Sequence, residues 1–161
     1  LMFNKDMNHS YQIIPFNYES HRDAVIALWV RVFGYETAHN EPNLVIKKKQ
    51  DMGDGLFFVY ATEEGHISGT VMCGYDGHRG WIYSLAVSPE LHRNGVGTAL
   101  MNHAETALES RGCMKVNLQV MEGNEKVQAF YETIGYRLEK RVSLGKRITS
   151  NIPGHDNEAG E

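Results

Sequence analysis

The chain has 161 residues, 42% of them hydrophobic, and a formal net charge of -4 at pH 7. That length and apolar content suffice for one core without disulfides or metal, and the acidic balance argues against a large nucleic-acid footprint while favouring cationic small partners. No window approaches the roughly 18 apolar residues of a membrane span, LMFNKDMNHS lacks the apolar run of a secretion signal, and Cys73 and Cys113 lack metal-ligand spacing; the expectation is one cytosolic domain with reduced thiols.

In chain order, YQIIPF (Tyr11 to Phe16) reads as a short strand, and Ser20 reads as the cap of a helix carrying Ala24, Ile26, Ala27, Trp29, Val30 and Phe33 on one side. GYETAHNEPN, from Gly34 to Asn43, reads as a loop and LVIKKKQDM as a short helix with a basic outer face. LFFVYAT and HISGTVMCGY are strand-like runs joined by EEG as a hairpin, GYDGHRGW supplies a second turn, and WIYSLAV is too continuously apolar for an edge strand. Val96, Ala99, Leu100, His103, Ala104, Ala107 and Leu108 follow helical spacing, closed by Gly112. KVNLQV reads as a strand, NEKVQAFYETI as a helix ending at Gly135, and YRLEKRVSLGKRI as a long final strand region. The polar tail, residues 149–161, reads as disordered. With no repeat and no second core, strands and helices share one sheet as an α/β or α+β sandwich over residues 11–148.

The most informative string is HRNGVGTAL, His92 to Leu100, where Gly95 and Gly97 precede a helix. A Walker P-loop requires G-x-x-x-x-G-K-[ST], which is absent. A dinucleotide fingerprint fails too: Leu100 stands where a third glycine belongs, SPELHRN is too long a link from the strand, and Lys115 to Asn117 carries no acid. What survives is a strand, a looped-out connection and backbone N-H groups converging on the positive end of a long helix, an arrangement that suits an anion. Two glycines alone are equally well explained by a tight loop and close helix packing. Downstream, however, LQVMEGNEKVQAFYETIGY places Asn124 at a helix start, Phe130 and Tyr131 in mid-helix, and Gly135 and Tyr136 at its end.

These two strings together resemble the GNAT superfamily of acyl-CoA-dependent N-acetyltransferases, over about Tyr11 to Ile148. The acyl-CoA signature, Gln or Arg followed by x-x-G-x-Gly or Ala, falls on His92, Arg93, Asn94, Gly95, Val96 and Gly97, with His92 departing from it. The second signature, N-x-x-A-x-x-F-Y-x-x-x-G-[FY], falls on Asn124 through Tyr136, with Val127 at the alanine position. GTVMCGYDGHRG and the ending SLGKR look like the YpeA-type bacterial acetyltransferases. The resemblance implies a single-domain acyl-CoA N-acyltransferase fold with a splayed central sheet flanked by helices. It further implies acetyl-CoA as cosubstrate, no metal, an amine acceptor that is a small molecule, amino acid or peptide, no nucleic-acid or membrane partner, and a homodimer left open.

Carried onto this chain, the resemblance assigns Leu85, Ala86 and Val87 to a bulged strand that pairs with pantetheine amides and leaves a V-shaped cleft. Arg93 through Thr98, with His92 and Asn124, would hold the rest of the cofactor. An N-H near Val87 would face the thioester carbonyl, and Tyr131 would protonate the departing thiolate. Without the resemblance, the FY pair would read as core packing and LAV as an ordinary buried strand. No general base stands out. Ribosomal-protein acetylases of the RimI type carry Glu where this chain has Gln119, an amide cannot accept a proton from an ammonium group, and Glu122 sits in a loop; ordered water or an already neutral amine fills the gap. The acceptor site is assigned to the loop Gly34 to Asn43, the loop inside the final strand region, and the hairpin carrying Asp76, His78 and Arg79, where Asp76 would attract an amine and Arg79 a carboxylate, although such residues also make ordinary surface turns. Rival readings are a non-catalytic acyl-CoA sensor, a RimI-like N-terminal acetyltransferase and a purely structural interaction domain.

Overall fold

A computed structural model describes residues 10–34 and 41–149. Its elements are β1 (Gln12–Pro15), α1 (Tyr18–Phe33), α2 (Pro42–Met52), β2 (Phe57–Ala61), β3 (Ile67–Tyr75), β4 (Gly80–Val87), a short 3-10 turn (Pro89–Leu91), α3 (Val96–Glu109), β5 (Val116–Leu118) and α4 (Glu125–Thr133). The strands form one sheet in the order β1-β2-β3-β4-β5. The first four pair antiparallel, and β5, reached through α3, joins β4 in parallel. This is the mixed α/β sheet with flanking helices that the sequence implies.

Strand alternation divides the core between two faces. On one, Val25, Leu28 and Trp29 of α1 and Ile46 of α2 cover Phe57, Val59, Ala61, Met72 and Ala86. On the other, Val96, Leu100, Met101, Ala104 and Leu108 of α3 cover Phe58, Val71, Cys73 and Ile82, and Tyr131 of α4 joins them. Both cysteines are free, as expected, and both are buried; burial pushes the Cys73 thiol up to about 12.

Several local expectations are corrected. The cap of α1 is Asn17, not Ser20: the Asn17 side chain accepts the Ser20 N-H, and the Asn17 N-H donates to Nδ1 of His21, so each satisfies the other's helix end. Pro42 and Asn43 belong to α2, whose first turn is capped by the Glu41 carboxylate; residues 35–40 of the expected loop lie outside the described residues. In α3, Ala99 is exposed and Met101 buried. Ala99 lies five residues before Ala104, which at about 100° per residue turns it to the far side of the helix.

The long final strand is absent. Residues 137–149 form no ladder, and Leu138, Val142, Leu144 and Ile148 are exposed. The apolar alternation there satisfies a strand pattern, but β5 has only three laddered residues, so the segment meets it through side chains: Lys115 pairs with Glu139 at 2.7 Å, Asn117 also bonds Glu139, and Gln119 donates to Ser143 at 2.8 Å. The loop expected inside that strand is therefore not bracketed by two strand halves. Residues 150–161 of the tail lie outside the described residues.

Candidate active site

The centre of the molecule is an irregularity in β4. Thr70 pairs with Ala86 and Met72 with Tyr83, so Val71 faces two residues, Ser84 and Leu85. This is a β-bulge, and Ser84 sits in it with φ 49°, a left-handed conformation that costs a non-glycine residue about 1 to 2 kcal/mol. On its other edge β4 pairs with β5 only at Gly80, Trp81 and Ile82. Beyond Ile82 the two strands part, and the expected splay lies where the bulge begins.

Backbone direction follows from the ladder. The Ser88 N-H donates to the Ser68 carbonyl at 2.8 Å, so Ser88 points toward β3. Alternation then turns the N-H and C=O of Val87 away from β3, toward the parted side. That carbonyl is met by Nε2 of His92 at 3.0 Å. Leu85 and Val87 are half-buried and Ala86 is buried, so the strand is both core and cleft wall.

The glycine string folds into the entry of α3. Arg93 and Gly95 are both left-handed, with φ 66° and 77°, and Gly95 is the N-cap residue without any side-chain capping bond. The first intrahelical bond runs from the Ala99 N-H to the Gly95 carbonyl, leaving the N-H groups of Val96, Gly97 and Thr98 aimed out of the helix end. Left-handed residues ahead of such an end help turn successive backbone N-H groups into a concave cradle for anionic oxygens. A Cβ on Gly95 would meet nothing within 4 Å, whereas one on Gly97 would lie 3.2 Å from Cζ of Phe130 and 3.8 Å from Cγ2 of Val87. Gly95 thus keeps the approach open, and Gly97 lets α3 pack against α4 and β4; the packing explanation holds for the second glycine.

Tyr131 is buried in the α3-side core, with its ring 5.2 Å from Phe130 and 5.7 Å from Tyr136. Burial pushes its phenol up to about 12. Among the described residues its hydroxyl has no hydrogen-bond partner, whereas the hydroxyl of Tyr136 donates to Glu105 at 3.1 Å. Asn124 caps α4 by accepting the Val127 N-H, which is a structural task whatever else it does.

The hairpin residues stand apart. Oδ1 of Asp76 accepts the N-H groups of His78 and Arg79, each at 2.7 Å, and those bonds hold its carboxyl below the usual range. Asp76 and His78 are exposed and Arg79 is half-buried, all at the end of β4 opposite Val87. Seven residues at roughly 3.3 Å each put Val87 about 23 Å away, so this turn is not brought together with the Val87 peptide. Gln119 follows the last paired residue of β5 and is exposed, as is Glu122.

Sequence reasoning missed Trp29 and Thr70. Both are fully buried, and the Trp29 indole N-H donates to Oγ1 of Thr70 at 2.8 Å while the Thr70 hydroxyl donates to the Ser84 carbonyl at 2.9 Å. The only signal was chemical: a buried indole N-H needs an acceptor, and Thr70 is a polar residue in an apolar strand.

The sequence profile of the Acetyltransferase (GNAT) family matches residues 18–136. The fold resembles that of glucosamine-6-phosphate N-acetyltransferase from Arabidopsis thaliana, at 22% identity and TM-score 0.62, over 87% of this chain and 99% of that one. It resembles equally the ribosomal-protein-S18-alanine N-acetyltransferase from Escherichia coli, at 23% identity and TM-score 0.64, over 78% and 77% of the two chains. Aminoglycoside N-acetyltransferase AAC(6')-Iy, solved in complex with CoA, superposes with TM-score 0.69 at 13% identity, over 87% and 96%. Bulge, parted strands and helix entry all fall within the matched residues, and the chain belongs to the GNAT family of acetyltransferases, enzymes of the acyltransferase class.

Proposed function

We propose that the chain is an acetyl-CoA-dependent N-acetyltransferase that transfers acetyl to a primary amine of a small molecule, amino acid or peptide by direct attack in a ternary complex. The observation that carries this reading is the open edge of β4 beyond Ile82, with the Val87 peptide turned into it beside the uncapped entry of α3. Pantetheine amides lie along Leu85 to Val87 as a short extra strand, and the pyrophosphate rests on the N-H groups from Arg93 to Thr98, with Asn124 at the cofactor's flank. The YpeA-type resemblance of GTVMCGYDGHRG and SLGKR belongs with the same reading.

In the reaction the amine nitrogen attacks the thioester carbon, the carbonyl oxygen becomes an oxyanion facing the Val87 N-H, and collapse breaks the C-S bond. A single preorganised donor of this kind contributes about 3 to 4 kcal/mol in other acyl transfers. The amine gives its proton to water, and the departing thiolate takes one from the Tyr131 phenol, which burial holds at about 12 and therefore protonated until that step, and which water then reprotonates.

A non-catalytic sensor of acyl-CoA would need the same cradle but not a phenol whose hydroxyl has no partner among the described residues. Tyr131 therefore favours turnover. Thiol release from acetyl-CoA across a panel of amines tests the reading: release that depends on the amine supports it, whereas a CoA-induced melting shift without release for any amine would leave the sensor.

A further inference from the structure

The bulge is held from behind by a line of buried polar groups that crosses the sheet. The Trp29 indole of α1 donates to Thr70 of β3, whose hydroxyl donates onward to the carbonyl of Ser84 in β4, at 2.8 and 2.9 Å. Each group uses its capacity in the one direction open to it: an indole N-H only donates, a carbonyl only accepts, and the hydroxyl does one of each. Trp29 and Thr70 are both 0% exposed, so no solvent replaces the bond between them, while the bond from Thr70 to the half-buried Ser84 is part-buried. Ser84 needs such an anchor. Its φ of 49° takes it out of the ordinary ladder, and its carbonyl, in a part-buried setting, is met by the Thr70 hydroxyl instead of a ladder N-H.

We propose that Thr70 and Trp29 are positioning residues for acyl transfer, acting through the Ser84 carbonyl to fix the bulge and thereby the direction of the Val87 N-H three residues on. This rests on the acetyl-transfer reading, because the bulge matters to chemistry only if Leu85 to Val87 hold the thioester. Neither side chain touches substrate. The hydroxyl of Thr70 selects one rotation of the Ser84 peptide, and the indole of Trp29, immobile between α1 and the sheet, selects one rotation of that hydroxyl. A displaced donor is costly: a misplacement of about 1 Å at a reacting centre lowers rate by on the order of 10².

The test compares Thr70→Val, which keeps the shape and removes the hydroxyl, with Thr70→Ser, which keeps the hydroxyl, and with Trp29→Phe. Ile46→Val serves as a core variant that lowers stability on the α1 side while leaving every member of the Trp29–Thr70–Ser84 line in place. For each, kcat and the KM for acetyl-CoA are measured below all melting temperatures, and amide hydrogen exchange is followed at Leu85, Ala86 and Val87. Thr70→Val is expected to lose about 10² in kcat and to exchange those amides about tenfold faster than wild type, relative to α3 amides. Thr70→Ser restores both to within a few-fold, and Trp29→Phe falls between. Unchanged exchange in Thr70→Val overturns the proposal whether or not the protein turns over. Faster exchange with the kcat of Ile46→Val also overturns it, making the line structural only. If wild-type protein gives neither thiol release nor a CoA melting shift, the acetyl-transfer reading fails and takes the catalytic role of Thr70 with it.

Discussion

Nε2 of His92 lies 3.0 Å from the carbonyl oxygen of Val87, so the loop that opens α3 reaches back onto the last residue of β4. A carbonyl only accepts, so the ring presents N-H at this position. The residue departs from the Gln or Arg of the acyl-CoA signature, yet all three side chains share an N-H donor. His92→Gln should therefore keep the contact and the KM for acetyl-CoA. His92→Ala removes an exposed bond of about 0.5 to 1.5 kcal/mol and should raise that KM roughly two- to tenfold with kcat little changed. An unaltered KM in the alanine variant would make the contact incidental.

Gly95 allows a cleaner test of the anion cradle than a β-branched substitution, which would be strained at φ 77°. Asparagine tolerates that conformation, and the space around the position is open. Gly95→Asn should melt close to wild type without ligand. Wild type should gain about 2.7 kcal/mol at a CoA concentration a hundred times its dissociation constant, and the variant should lose most of that gain. A full CoA shift in Gly95→Asn would refute the pyrophosphate assignment.

Tyr131→Phe deletes a hydroxyl that has no partner among the described residues, so the fold should lose little stability. Turnover should fall by about 10² to 10⁴ on a substrate whose chemical step limits the rate, while the CoA melting shift persists. With the phenol held near 12, no alkaline inflection between pH 7 and 10 should belong to this residue. Undiminished turnover in the variant would mean that Tyr131 is packing and that solvent meets the thiolate.

What the sequence revealed and what it hid divide along the range of the forces involved. The β-rich runs LFFVYAT and HISGTVMCGY joined by EEG sufficed for a hairpin, and helical spacing from Val96 to Leu108 for α3, because each pattern is local and the core enforces it. The glycine and FY strings marked the cleft. The bulge itself left no mark on LAV: Ser84 looks like any strand serine, and its backbone is set by Thr70, 14 residues away, and through it by Trp29, a further 41 residues back. YRLEKRVSLGKRI misled for the complementary reason. Its alternation is genuine, but a strand needs a partner edge, and β5 offers three residues.

The end of α1 carries a pH dependence of its own. Nδ1 of His21 accepts the Asn17 N-H at 2.9 Å, which requires a neutral ring, and burial holds its pKa below the ordinary 6.5. The native state therefore binds fewer protons than the unfolded chain, and its stability rises with pH through that range. This contribution is present above about 6.5 and is lost as pH falls through the lower, native value. Denaturant melts should show wild type weakening between pH 7 and 5 more than His21→Gln does. Equal slopes in the two proteins would remove His21 from the account.

The missing base gives the sharpest kinetic expectation. Gln119 spends its amide on Ser143, Glu122 is exposed, and Asp76 is tied by two backbone N-H groups in a turn at the far end of β4. Among the described residues neither β4 nor residues 118–120 carry a carboxylate, and the expectation is that the acceptor amine loses its proton to water or arrives neutral. The rate at fixed subsaturating amine should then rise with pH toward the amine's own pKa, and acceptors of lower pKa should reach their plateau earlier. Asp76→Asn keeps an oxygen for the turn and Glu122→Gln keeps the size of the side chain, so both should retain the wild-type profile. A direct carboxylate base would instead add an inflection on the acid side, at its own perturbed value. Loss of such an inflection in either variant, with acceptor KM unchanged, would make that residue the base.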